Sequence, residues 1–182
     1  MCKNCQLKPV YEFTNKRKLC SDCFVKYFQK KVLYTIRKFQ LIQPNEVVGY
    51  SAKNNFNDKV LECALKMFAG KAPIELVILP TKKKIDKIAI SSTIDLEAEH
   101  IVNTFVKENV KKLNVEPIEG KVIKPLYLFL DEEVLLYAKI KKLNFKQREK
   151  KENEISKFIN GLEMKHPEIK RAIVNGYLGI NS

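Results

Sequence analysis

The chain has 182 residues, 34 basic against 21 acidic side chains for a formal charge of +13, and 45% hydrophobic residues. That is apolar material for one ordinary core plus a small appendage, and ten Phe, seven Tyr and only six Gly exclude a disordered tail or a collagen-like repeat. No apolar run approaches the roughly 18 to 20 residues that cross a bilayer, and Met1-Cys2-Lys3-Asn4-Cys5 lacks the basic-then-apolar layout of a leader. The expected compartment is the cytoplasm, with no membrane partner, and the lysine excess points to a polyanion.

The first element is set by cysteines. Five are present: Cys2 and Cys5, Cys20 and Cys23, and Cys63 alone. An odd count argues against a disulfide scaffold. Cys-x2-Cys, fourteen residues, then Cys-x2-Cys is the spacing of a closed tetrahedral site of four thiolates. Zinc is the expected occupant, with an iron–sulfur cluster as the alternative. A ribbon of residues 1–25 buries little apolar surface, so the metal supplies most of its folding free energy, on the order of 10 kcal/mol or more. Four protein ligands leave no open position for a substrate.

A helix follows, Asp22 to Leu41, within a linking segment of residues 26–44. At about 100° per residue, Phe24, Phe28, Val32, Ile36 and Phe39 share one side, and Lys26, Tyr27, Lys30, Lys31, Tyr34, Arg37 and Lys38 the other. Residues 1–44 hold ten basic and two acidic side chains, a net +8. Lys16, Arg17, Lys18, Lys26, Lys30 and Arg37 can neutralise phosphates, and Tyr27 and Tyr34 can stack on unpaired bases, which is what looped RNA requires. The competing reading is a solvated face whose tyrosines pack on the main domain.

Residues 45–147 alternate apolar runs with amphipathic stretches. Glu46–Tyr50, Ile74–Leu79 and Lys87–Ile90 are expected strands; Val122–Leu130 is a fourth, interrupted by Pro125. Asn57 or Asp58 is the expected cap of a helix burying Val60, Leu61, Ala64, Leu65 and Phe68. Asp95 heads another helix, with Ile101, Val102, Phe105 and Val110 inward, and Asp131 a third, with Val134, Leu135, Tyr137 and Ala138 inward. Strands alternating with helices predict an α/β fold, a Rossmann-like, mainly parallel sheet covered on both faces. Residues 148–182 are expected as C-terminal helices, with Ile155, Phe158, Ile159 and Leu162 inward and Pro167 opening the last.

The loop after the first strand is where such a fold seats a nucleotide. Ser51-Ala52-Lys53-Asn54-Asn55 cannot cradle phosphates: the chain has no glycine between Gly49 and Gly70, so left-handed backbone and close N–H approach are both denied. Cys63, on the inward side of its helix, reads as a small buried hydrophobe. Lys82-Lys83-Lys84 reads as a solvated turn, and His100 and His166 as lone helix histidines without a site.

The two cysteine pairs, Phe28-Gln-Lys-Lys-Val-Leu-Tyr-Thr-Ile-Arg-Lys-Phe39 and the strand, loop and helix after them resemble the tRNA 2-thiolation family of N-type ATP pyrophosphatases. So do Lys87-Ile-Ala-Ile-Ser-Ser-Thr-Ile-Asp-Leu-Glu-Ala-Glu99, Ile123-Lys-Pro-Leu126 and Glu133-Val-Leu-Leu-Tyr-Ala138, in family order. Where catalytic members carry Ser-Gly-Gly-Lys-Asp-Ser, this chain keeps only Ser51. Of the later Gly-His-Asn-Leu-Asp-Asp-Glu-Ala motif it keeps Asp95, Glu97 and Ala98. Mid-chain catalytic cysteines have no counterpart. The resemblance implies a non-catalytic, tRNA-binding subunit supporting ATP-dependent thiolation of the wobble uridine, beside a catalytic paralogue or by self-association. The alternatives are a minimal working sulfurtransferase using Cys63 or the N-terminal thiols, and a zinc-ribbon nucleic-acid adaptor unrelated to thiolation.

Overall fold

A computed structural model of the chain describes residues 1–107, 115–146 and 153–180. Val110, the start of the C-terminal region at 148 and the domain limit at 147 lie outside the described residues. Two short strands, β1 (Tyr11–Glu12) and β2 (Lys18–Leu19), form an antiparallel hairpin that leads into α1 (Ser21–Lys38). Then come β3 (Val47–Tyr50), α2 (Phe56–Ala69), β4 (Glu75–Ile78), β5 (Lys87–Ala89), α3 (Ile94–Val106), β6 (Ile118–Glu119), β7 (Val122–Ile123), α4 (Asp131–Ile140), α5 (Glu154–Lys165) and α6 (Ile169–Ile180).

The sheet order is β4-β3-β5-β7-β6, parallel except for the β6–β7 hairpin. The crossover through α2 runs toward β4 and the one through α3 toward β7. Right-handed crossovers in opposite directions put α2 and α3 on opposite faces. Two cores result. One runs from Cys2, Leu19 and Cys20 through Phe24, Phe28, Val32 and Ile36 of α1 to α2 and α4. The other joins Ile94, Ala98 and Ile101 of α3 with Tyr127, Leu130 and Val174, and α5 and α6 pack over α3. The ribbon therefore shares its core with the α1–α2–α4 layer.

Several expected boundaries move, each for a local reason. Helix α1 ends at Lys38 rather than Leu41 because Gln40 turns left-handed (φ 49). Its N–H then meets Arg37 O at 3.2 Å and the Leu41 N–H meets Ile36 O at 3.0 Å, a Schellman stop built without glycine. Lys142 (φ 51) ends α4 the same way. The caps of α2, α3 and α4 are Asn55, Thr93 and Leu130, not Asn57 or Asp58, Asp95 and Asp131. Val122–Leu130 is a strand only over Val122–Ile123. From Lys124 the backbone turns, with Tyr127 N–H to Lys124 O at 3.1 Å and Phe129 N–H to Leu126 O at 3.0 Å, since Pro125 can donate nothing to a ladder. Gly120, at φ +54, makes the unforeseen β6–β7 turn. Phe105 and Phe158, expected inward, are exposed: Phe105 sits in the last turn of α3, and α5 buries only Ile159.

Candidate metal centre and nucleic-acid interface

The hairpin returns the second cysteine pair to the first, with Lys3 N–H on Lys18 O at 2.9 Å and Val10 N–H on Leu19 O at 2.8 Å. Gln6, left-handed at φ 62, closes the first knuckle with its N–H on Cys2 O at 3.0 Å. Cys20 is the N-cap of α1 and Cys23 lies in its first turn, where helix N–H groups favour thiolates. All four Sγ atoms lie within 4.8 Å of one another; Cys5 is 3.3 Å from Cys20 and 3.7 Å from Cys23. A tetrahedron with Zn–S bonds of about 2.3 Å needs sulfurs about 3.8 Å apart, so the group fits one ion. At Cys2 burial opposes ionisation, but backbone hydrogen bonds at Cys20, Asn4 and Cys5 outweigh it and bring the thiol down to about 6. Burial and the neighbouring sulfurs push Cys23 up to about 12. Without a cation one thiolate forms at its neighbours' expense; a dication removes that conflict.

The outer face of α1 is more selective than its helical wheel. Lys26, Lys30, Tyr34, Arg37 and Lys38 are exposed, and the four cations among them pair with no carboxylate among the described residues. Tyr27 is withdrawn, a correction to the expected stacking pair: its hydroxyl donates to Glu133 at 3.0 Å and its ring meets Phe13 edge-on at 4.9 Å. The Arg17 guanidinium lies over the Phe13 ring, 4.2 Å from its centroid, and 5.2 Å from that of Tyr27. Lys16 and Lys18 share Glu12, at 3.9 and 3.0 Å.

Glu133, fully buried, is the residue that sequence reasoning missed. It receives Tyr27, Lys31 (3.1 and 3.2 Å), Arg171 (3.3 Å) and the Leu130 N–H (2.9 Å), joining α1, α4 and α6. The signals were a glutamate three residues into a helix and its place at the head of the Glu133-Val-Leu-Leu-Tyr-Ala138 segment, neither of which announces its partners. Burial lowers Lys31 to about 8 despite the attraction of Glu133. A second buried pair, Lys124 to Glu97 at 2.9 Å, joins two of the segments that carry the family resemblance.

At the carboxyl ends of β3 and β5, where the strand order reverses, lies an open cleft of about 480 Å³ lined by Lys53, Asn54, Asn55, Asn57, Asp58, Ser91, Leu96 and Lys146. Asn55 caps α2 by accepting the Asp58 N–H at 2.9 Å, and its amide donates to the Asp58 carboxylate, also at 2.9 Å. Ser91 donates to the other Asp58 oxygen at 2.5 Å. The start of α2 is thus already complemented by a buried carboxylate where an incoming phosphate would need bare N–H groups. Ser51 and Ala52 begin this loop without lining the cleft. Gly49, the one glycine nearby, sits in β3, where a Cβ would lie 3.1 Å from Ile85 and Leu79 side-chain atoms; it serves packing. Cys63 faces the Tyr137 hydroxyl at 3.8 Å, away from the cleft lining.

Sheet order, switch-point cleft and flanking helices define an α/β fold with a mainly parallel sheet. Among solved structures the chain is similar to the U34-tRNA thiolase NcsA from Methanococcus maripaludis with its [4Fe-4S] cluster. The match has TM-score 0.79 at 20% identity and covers 98% of this chain and 86% of that one. No protein-family model and no curated protein matches the sequence.

Proposed function

We propose that this protein is a metal-stabilised, catalytically degenerate tRNA-binding subunit that supports 2-thiolation of the wobble uridine beside a catalytic paralogue. The observation that carries this reading is a fold likeness to a U34-tRNA thiolase over 98% of the chain combined with a switch-point cleft that is lined by no glycine and holds a carboxylate, Asp58, at the start of α2. The exposed, unpaired cations of α1 support the RNA partner: each phosphate they neutralise releases counterions and adds affinity whatever the sequence. Cys63, packed toward Tyr137, argues against a working sulfurtransferase.

Zinc is the metal we assign to Cys2, Cys5, Cys20 and Cys23. Sulfurs 3.3 and 3.7 Å apart suit a single ion, whereas a four-iron cluster binds each thiolate to a different iron and holds the sulfurs further apart. When bound, the ion supplies folding free energy and no open coordination site.

The test is a Lys26→Ala/Lys30→Ala/Arg37→Ala variant in a tRNA-binding titration over a salt series. It keeps its metal and fold, loses most tRNA affinity, and shows a shallower slope of log affinity on log salt. Parent-like binding at moderate salt overturns the RNA reading. Pyrophosphate–ATP isotope exchange by the purified chain overturns the degenerate one.

A further inference from the structure

Tyr34 stands apart from the other rings of the ribbon and α1. It is 54% exposed on a helix whose other aromatics, Phe24, Tyr27 and Phe28, are buried or half-buried. It borders two grooves at once. One, of about 470 Å³, runs toward the ribbon over Leu19, Lys26, Tyr27 and Lys30; the other, of about 430 Å³, is walled by Lys30, Leu33, Arg37 and Lys38. Both are of a size that takes a small organic group. No carboxylate lines either groove, each has a leucine wall, and Tyr34 and Lys30 form the partition between them.

We propose that Tyr34 inserts between two consecutive unpaired nucleotides of a single-stranded RNA segment, one base in each groove, with flanking phosphates on Lys26 and Lys30 and on Arg37 and Lys38. The proposal rests on the RNA-binding reading above and narrows it to single-stranded or looped RNA. Lys26, Lys30, Tyr34 and Lys38 recur every fourth residue, about 6 Å apart along one helix stripe, so cations bracket the ring on both sides. The Lys38 ammonium lies over the Tyr34 ring, 5.6 Å from its centroid; a base stacking on that face takes its place, and the flexible, exposed lysine swings to the adjoining phosphate. Tyr27 cannot share the task. It is half-buried, with its hydroxyl committed to Glu133, Phe13 packed edge-on against its ring, and Arg17 and Lys31 5.2 and 5.4 Å from its centroid. A duplex is disfavoured because admitting the ring costs a few kcal/mol of unstacking at each step.

The experiment titrates the full-length chain with fluorescein-labelled RNA of about ten nucleotides, single-stranded or as a duplex. A second single strand carries two adjacent 2-aminopurines. Tyr34→Ala weakens single-strand binding by about 5- to 150-fold with an unchanged salt slope, Tyr34→Phe binds as the parent does, and duplex binding is unaffected. The parent quenches 2-aminopurine and Tyr34→Ala does not; this readout needs no comparison of affinities. If Tyr34→Ala binds the single strand within about twofold of the parent while the Lys26→Ala/Lys30→Ala/Arg37→Ala variant fails, stacking is wrong and the RNA reading stands. If that triple variant also binds normally, the RNA reading fails, and this inference with it.

Discussion

Glu133 gathers two cations, a phenol and a backbone N–H around one buried carboxylate. A fully buried carboxylate is tolerable only when its lone pairs are filled, and here these donors fill them. Removing the carboxylate leaves Lys31, with a side chain 15% exposed, as an unpaired buried charge. Glu133→Ala is therefore expected to cost about 3 to 5 kcal/mol by urea denaturation, and Glu133→Gln, which keeps an acceptor and the shape, clearly less. In Glu133→Gln, side-chain NMR should find Lys31 titrating lower still than its parent value of about 8, because the attraction opposing burial has gone. Lys31 also sets a pH dependence. Unfolded, it keeps its proton to about 10.5, so between about 8 and 10.5 the unfolded chain binds more protons and stability rises with pH. The phenols of Tyr11 and Tyr27, raised above 10.0 by burial and by Glu133, act the other way: their contribution is complete below about 10 and lost as pH climbs beyond it. Relative to Lys31→Met, the parent should gain stability from about pH 8 to 10.5; a flat difference would show Lys31 to be unperturbed.

At the scale of elements, the ribbon and α1 behave as one unit, since Cys20 is both a metal ligand and the N-cap of α1. The purified chain should hold one zinc, and Cys20→Ala should release it. Hydrogen exchange should then accelerate through residues 1–20 and the first turn of α1, while β3, β5 and α2 stay protected by their own buried residues. Stoichiometric iron with a visible charge-transfer band would replace zinc by a cluster. The stripe of Phe24, Phe28, Val32 and Ile36 was legible because a helix repeats every 3.6 residues whatever surrounds it. The stop at Gln40 was not: a glutamine in left-handed conformation violates local preference, and nothing in its neighbours announces it. The β6–β7 hairpin is four paired residues around Gly120, too short for alternation to register.

For the whole molecule, the cleft decides between enzyme and scaffold. Isothermal titration of the chain with millimolar ATP should show no saturable binding, and Ser51→Ala should leave tRNA thiolation in cells unchanged. An isotherm that saturates would mean that Lys53 and Lys146 suffice to hold phosphates against Asp58. The sequence by itself determined the four-thiolate site, the amphipathic basic helix, the parallel sheet and the glycine-free loop. Each is written in residue spacing or residue type over a few turns of chain, and local geometry follows from that alone. Only the tertiary structure decided that Tyr27 is spent on Glu133, 106 residues away, that Tyr34 stands exposed between two grooves, and that Asp58 and Ser91 meet in the cleft. Those outcomes turn on burial and hydrogen-bond partners distant in the chain, which no periodicity encodes.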